Sequence, residues 1–166
     1  GASDYARWLG LSDFEIPVLR NGVDFSDYTV SYKRPELLTH FGIETFAGPI
    51  VGTVGRLAKQ KSPRLWFEVA GIIHKLRPDI CFLVVGDGPL YSKSRALAKK
   101  HGLGPNIAFI GTLEDPRKAF QVIDCFLMTS VHEGLPNTLL ESQAMGTPVV
   151  AGDVGGVSEA LDANTT

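Results

Sequence analysis

From Pro49 onward the chain alternates short apolar runs with amphipathic segments, and this alternation restricts the fold more than any other feature. The runs are Ile50–Val54, Ile80–Val85, Ile107–Ile110, Cys125–Met128 and Pro148–Ala151. Between and after them lie helical patterns at Pro63–Leu76, Leu90–His101, Arg117–Ile123, Pro136–Met145 and Val157–Leu161. Strands joined through helices run in the same direction, which predicts an α/β, Rossmann-like open parallel sheet with helices on both faces. In the first helix Leu65, Val69, Ile72, Ile73 and Leu76 recur at helical spacing, and this stripe is expected to cover the sheet. Glycine follows nearly every run: Gly55, then Gly86 and Gly88, Gly111 and Gly152. All of these fall on the carboxyl edge of a parallel sheet, where ligands bind and backbone must come close. A βα turn needs glycine for its own geometry, so any single one has a purely conformational reading. The set points to a ligand.

The residues before Pro49 lack a sustained period. They read as a lead-in with a short strand at Ile16–Leu19, a turn at Asn21-Gly22, a break at Lys33-Arg34-Pro35 and a helix near Pro35–Phe41. At roughly 100–200 residues per domain, a chain of 166 residues holds one domain with a core. Its 16 Lys and Arg against 18 Asp and Glu lack the basic excess that nucleic-acid binding draws on. With 44% hydrophobic and 20% charged residues most of the chain is expected to be ordered. Its apolar runs are far short of the roughly 20 residues that cross a bilayer. Cys81 and Cys125 sit inside apolar runs and read as buried, reduced thiols of an intracellular protein. The opening Gly-Ala-Ser-Asp has neither Met nor an apolar signal segment, as in a piece of something longer.

Two constellations carry chemistry. The first connection, Gly55-Arg56-Leu57-Ala58-Lys59-Gln60-Lys61-Ser62, is a basic loop ending at Pro63, which suits the first turn of a helix. Arg56 offers a planar donor fork and Lys61 a point charge, complementary partners for one spread anion such as a pyrophosphate. The bland reading is a solvated basic surface. The second constellation runs from Ser130 to Glu141, with Glu133 in a loop and Glu141 inside the helix opened by Pro136. Both carboxylates can face a ligand on that helix N-terminus: Glu141 accepts from a vicinal diol such as a ribose, and amides from Gly134 to Asn137 lack helical acceptors. Acids favoured by the helix dipole are the alternative.

Other motifs are excluded. The first strand is not followed by G-x-G-x-x-G, and no G-x-x-x-x-G-K-[ST] occurs. His132-Glu133 has Pro136 where a zinc motif needs its second histidine, and no cysteine pair has metal spacing. Ser130 and His132 lack the G-x-S-x-G setting of a nucleophile and are expected to point apart. His40, His74 and His101 read as surface residues, and the sequon Asn164-Thr165-Thr166 as coincidence.

Taken in order, Gly55-Arg56-Leu57 with Lys61, Val85-Gly86-Asp87-Gly88-Pro89, Phe109-Ile110-Gly111, Glu133-Gly134-Leu135-Pro136-Asn137 through Glu141, and Ala144-Met145-Gly146-Thr147-Pro148-Val149-Val150-Ala151 resemble group 1 (family 4) retaining glycosyltransferases of the GT-B fold. Val18–Asp24 resembles the segment leading from the acceptor domain into the donor domain. The resemblance implies a C-terminal donor-binding fragment: residues 1–47 as lead-in from a missing N-terminal acceptor domain, and residues 48–166 as a nucleotide-sugar-binding, Rossmann-like domain truncated at its C-terminus. It implies metal-independent, retaining transfer from a UDP-sugar or GDP-sugar, with no cofactor, to a lipid-linked or saccharide acceptor. The place would be the cytoplasm, or the cytoplasmic face of a membrane for the longer protein.

By the same resemblance Arg56 and Lys61, with Gly55, would hold the donor diphosphate. Glu141 would bind the ribose. Glu133, with Gly134, Leu135, Pro136 and Asn137, would position the donor sugar, while Gly86, Gly111 and Thr112 would line the nucleotide. Arg56, Lys61 and Glu133 are the candidate catalytic residues, with no metal ligand among the set. The sequence departs from the family pattern at Ser62, where glycine is usual, at Leu135-Pro136 and at Ser142. A same-fold nucleotide-sugar epimerase and a noncatalytic binding module share these motifs and stay open.

Overall fold

The computed structural model describes residues 2–11, 20–28 and 32–161. The strand expected at Ile16–Leu19 and the sequon at Asn164 therefore lie outside the described residues. Helices α1 (Ala2–Trp8) and α2 (Arg34–His40) precede a regular succession: β1 (Ile50–Val54), α3 (Pro63–Leu76), β2 (Cys81–Val85), α4 (Tyr91–Lys100), β3 (Ile107–Gly111), α5 (Arg117–Phe120), β4 (Cys125–Met128), α6 (Asn137–Ala144) and β5 (Val149–Ala151). The segment expected as a last helix is a single 3-10 turn at Val157–Glu159. All neighbouring strands pair in parallel, in the order β3-β2-β1-β4-β5. Val51 lies opposite Phe82 on one side and Cys125 on the other.

Successive strand residues feed two cores, as the period of two requires. Val51, Phe82, Val84 and Leu127 meet Trp66, Phe67 and Ala70 of α3 and Ala98 of α4. Ile50, Val54, Leu83, Phe126 and Met128 face the other way, toward Leu37, Phe41, Phe120, Leu139 and Val157. The segment before the sheet thus shares the domain core. After β3 the chain crosses to the far side of β1, so β1 and β4 are neighbours whose following helices lie on opposite faces. Their loops part at the carboxyl edge and open the crevice where sheets of this kind take ligands. Cys81 and Cys125 are unbridged, and burial pushes both thiols up, in keeping with reduced cysteines.

The buried face of α3 overlaps the expected stripe only in part: Val69 and Ile73 pack on the sheet as expected, but the other three do not. Leu65, Ile72 and Leu76 are 45%, 58% and 75% exposed, whereas Trp66, Phe67 and Ala70 are at most 2% exposed. Two apolar stripes lie side by side on this helix, and the one with two aromatic rings removes more apolar area from water. Trp66 also donates from Nε1 to the Leu127 carbonyl at 3.1 Å, which fixes the helix rotation over β4. Gly71, bare on the flank of α3, lets His101 pack closely. His74 is likewise not a plain surface residue: it is half-buried and its ring meets Phe82 edge-on.

Ser62, between the basic loop and α3, has φ 47° and ψ 58°, the left-handed region. It is the only described non-glycine residue with positive φ, at the position where the resembling family has glycine. Its side chain makes no capping bond to α3, so it gives back nothing for the strain. Ser62→Gly is expected to stabilise the protein by about 0.5–1 kcal/mol, relief of a left-handed Cβ being partly offset by glycine's larger unfolded-state entropy. Thermal unfolding checks this, with an expected rise of about 1–4 °C.

Candidate functional site

The glycines that close the strands hold the carboxyl edge together. Gly86 has φ 125°, and a Cβ there would run into the carbonyl oxygen of Gly55. Its amide donates to the Gly111 carbonyl at 2.7 Å, and the Gly55 amide to the Val85 carbonyl at 2.9 Å. Gly86 is therefore required by its own sheet. Gly111 (φ 77°) and Gly134 have open space where a Cβ would stand, which leaves room for something else.

The β1 loop leaves the sheet with Leu57 buried and bonded through its amide to the Asp87 carbonyl at 2.9 Å. This anchor leaves Arg56 exposed, and no protein group among the described residues engages it in an ion pair. The loop then turns through a 3-10 segment, Lys59–Lys61. Gln60 ties it to the β4 loop: its carbonyl accepts from the Val131 amide at 2.9 Å, and its side-chain amide donates to the His132 carbonyl at 2.9 Å. Lys61 Nζ meets Glu133 Oε1 at 2.6 Å, with the carboxylate only 6% exposed. The residues drawn from two separate motifs thus form one ion pair across the crevice between β1 and β4. An ammonium has three donors, so Lys61 can hold Glu133 and a ligand oxygen together.

The loop carrying Glu133 rests on a glycine pair that sequence reasoning missed. A Cβ on Gly155 (φ 59°) would strike the Glu133 carbonyl, and the Gly156 amide donates to the Gly134 carbonyl at 3.0 Å. The available signal was a Gly-Gly pair just after β5. Asn21 steadies the next residue, donating from Nδ2 to the Leu135 carbonyl at 3.0 Å. Pro136 is buried and precedes α6, whose N-terminus carries no side-chain cap. The first-turn amides at Asn137 face outward from the helix end, as an anion requires.

Glu141 lies on the next turn of α6, half-buried. Burial pushes its carboxyl up, and a hydrogen bond from the Tyr28 hydroxyl draws it partly back. Tyr28, itself pushed up by burial and by Glu141, was not singled out in the sequence. It ends the 3-10 turn Phe25–Tyr28, which is fastened by the Arg117 guanidinium on the Asp27 carbonyl. Arg117 in turn pairs with Asp115 at 2.7 Å and holds that carboxyl below its usual range. Gly111 ends β3, two strands from β1, or about 10 Å along the edge, and exposed Thr112 follows it. Ser130 is buried and His132 exposed, so the two do point apart.

The expected residues therefore form a compact centre of Gly55, Arg56, Lys61, Glu133 and Gly134, with outlying groups on either side: Gly86, Gly111 and Thr112 toward β3, and Leu135, Pro136, Asn137 and Glu141 along α6. Two cations and a buried carboxylate at the β1–β4 crevice, followed by an uncapped helix start and a second carboxylate on α6, suit an elongated ligand with anionic and hydroxylated parts.

Comparison with known proteins agrees with this chemistry. Residues 45–166 match the family described as glycosyl transferases, group 1. The chain is 32% identical over 157 residues to the Vi polysaccharide biosynthesis protein VipC/TviE of Salmonella typhi, covering 93% of this chain and 27% of that protein. It is 32% identical over 163 residues to a 2-deoxystreptamine glucosyltransferase of Streptomyces kanamyceticus, covering 96% of this chain and 42% of that protein. The chain thus spans less than half the length of these relatives. Among solved structures, Alr3699/HepE of Anabaena in complex with UDP-glucose superposes with a TM-score of 0.77 at 23% identity, over 88% of this chain and 41% of that one. The sheet is that of GT-B glycosyltransferases. Four of the ordered motifs gather on the carboxyl edge of that sheet, the fifth, Ala144–Ala151, leads into β5 from the amino edge, and with the family match running through all of them the chain belongs to the group 1 glycosyl transferases.

Proposed function

We propose that this chain is the donor-binding part of a longer glycosyltransferase that moves a sugar from a nucleoside diphosphate to an acceptor, with retention of configuration and without a metal ion. The Lys61–Glu133 pair across the β1–β4 crevice, with Arg56 beside it, carries the reading. As the sugar–phosphate bond breaks, negative charge grows on the leaving diphosphate. Arg56, Lys61 and the start of α6 would meet that charge as positive groups, the kind of arrangement that supplies the largest share of many enzymes' rate enhancement. Glu133 and the amides after it would hold the sugar, whose ring takes on oxocarbenium-like charge. Glu141 would accept from the ribose, and Gly111 and Thr112 would lie by the base of a UDP- or GDP-sugar. Residues 48–166 form the donor domain in this reading, and 1–47 the passage from an acceptor domain.

A saccharide or lipid-linked acceptor is supported by two relatives, one named for polysaccharide biosynthesis and one as a galactosyltransferase acting on GlcNAc-diphosphoundecaprenol, and in this reading the reaction takes place in the cytoplasm or at the cytoplasmic face of a membrane. The test is to supply the longer protein with a panel of UDP- and GDP-sugars and acceptors, in the presence of a chelator, and to read the anomeric proton of the product by NMR. Product with the donor's anomeric configuration is expected. Inverted product, or activity lost to chelator and restored by magnesium, would overturn the mechanism.

Glu141 gives the site a pH dependence with a definite sign. Only the carboxylate accepts both ribose hydroxyls, and burial raises its pKa. Nucleoside diphosphate affinity should therefore fall on acidification from a higher pH than an ordinary carboxylate would give. The same shift means that ionising Glu141 costs folding stability as pH rises through its raised pKa. Tyr28→Phe removes the bond that opposes the rise, so the midpoint of the affinity profile should move further up. Titration calorimetry between pH 4 and 8 reads both profiles.

A further inference from the structure

Ser130 lies two residues past the end of β4, in the loop at the crevice, and is 5% exposed. Among the described residues its Oγ has no hydrogen-bond partner. The neighbouring hydroxyl is occupied otherwise: Thr129 Oγ1 donates toward the carbonyls of Lys61 and Ser62, at 3.3 Å each. Ser130 instead lines a narrow cavity of about 20 Å³ beneath the β1 loop, walled mainly by apolar side chains such as Leu57, Trp66 and Met128, with Gly55, Arg56 and Lys61 also in its lining. A buried hydroxyl left unpaired is costly, and replacing it by an apolar group of similar shape is neutral or stabilising. Retaining a hydroxyl at such a place calls for a partner that comes from outside the protein. The volume suits one oxygen atom, and with Arg56 and Lys61 in the same lining an oxygen that carries negative charge is the one favoured.

Resting on the nucleotide-sugar reading above, we infer that Ser130 is a third ligand of the donor diphosphate, its hydroxyl donating to a nonbridging phosphoryl oxygen held between Arg56 and Lys61. Neither spacing nor the basic loop marks this residue; its burial without a partner does. Because the bond would be made to phosphate alone, the role is separable from packing. It also deepens the charge stabilisation already assigned to the loop, since a hydroxyl aimed at a diphosphate oxygen strengthens as charge accumulates there.

The test uses Ser130→Ala and Ser130→Cys, the latter close in size but a weak donor. Affinities for UDP, GDP, uridine and guanosine are measured by titration calorimetry, alongside thermal unfolding of the free proteins. Both variants should bind the preferred nucleoside diphosphate about tenfold more weakly, as expected for loss of a bond to a charged acceptor. The corresponding nucleoside should bind with unchanged affinity, and the free proteins should unfold at or above the wild-type temperature. Unchanged diphosphate affinity, with Arg56→Ala still weakening it, would leave Ser130 a host for buried water and overturn this inference alone. Equal losses for nucleoside and diphosphate, or a lower unfolding temperature, would make its role structural. Wild-type protein that binds neither diphosphate would overturn the nucleotide-sugar reading itself.

Discussion

Lys61→Ala is expected to cost the ligand-free protein about 3 kcal/mol of stability, although it lies in a loop and beside Arg56, whose replacement by alanine should cost less than about 0.5 kcal/mol. The difference follows from what each cation faces. Arg56 is exposed, and water replaces whatever it loses. Lys61 is 2.6 Å from a carboxylate that is only 6% exposed, so its removal strands Glu133 as an uncompensated, buried charge. Glu133→Gln should be milder, because the Lys61 ammonium is 26% exposed and keeps access to solvent. Replacing both by apolar residues, Lys61→Met with Glu133→Leu, should recover most of the loss, since a buried ion pair is often no more stabilising than an apolar one of the same volume. Urea unfolding of the four variants measures this. Equal stabilities for Lys61→Ala and Arg56→Ala would mean that the pair is open to solvent and the crevice less enclosed than described.

Arg56→Ala should then be the cleaner probe of chemistry. In the longer, active protein it is expected to lower kcat by about 10²–10³-fold, the usual consequence of removing one preorganised donor from a developing anion, with a smaller rise in KM. The ratio matters because only interactions that strengthen toward the transition state lower kcat. Arg56→Lys should restore part of the rate, keeping the charge while losing the two-pronged donor geometry. Steady-state kinetics with the preferred donor separates the cases. A raised KM at unchanged kcat would make Arg56 a binding residue only.

Much of the fold was legible because strand and helix periods are local. β1, β4 and α3 have the expected limits, and the other strands differ by a residue. Rotation of α3 was not legible: Leu65, Ile72 and Leu76 make a regular stripe, yet the choice between it and Trp66-Phe67-Ala70 depends on the β4 carbonyl that Trp66 reaches. The site followed the same division. Glycines, basic loop and carboxylates have sequence spacings that mark them, and the sheet order then sets Lys61 against Glu133, 72 residues apart in the chain. Tyr28 carried no such mark, Ser130 reads in the sequence only as a nucleophile beside His132, and Gly155-Gly156 only as a glycine pair. Their roles come from contacts between distant segments, a phenol on Glu141, a hydroxyl without a partner and a backbone pressed against the Glu133 loop.

The central claim is that one ligand is gripped at its diphosphate by the β1 loop and at its ribose by Glu141. Titration calorimetry of UDP and GDP into the 166-residue chain, its Arg56→Ala variant and its Glu141→Ala variant tests it directly. In the proposed reading an acceptor domain closes over this edge in the longer protein, so binding by the 166-residue chain should be modest, with Kd about 0.1–1 mM, or roughly 4–5.5 kcal/mol. Glu141→Ala should weaken it by about tenfold to a hundredfold, since two hydrogen bonds to a charged acceptor are lost. Arg56→Ala should weaken the diphosphate and leave the free nucleoside unaffected. Folded variants that bind the diphosphates as tightly as the wild type would contradict the account.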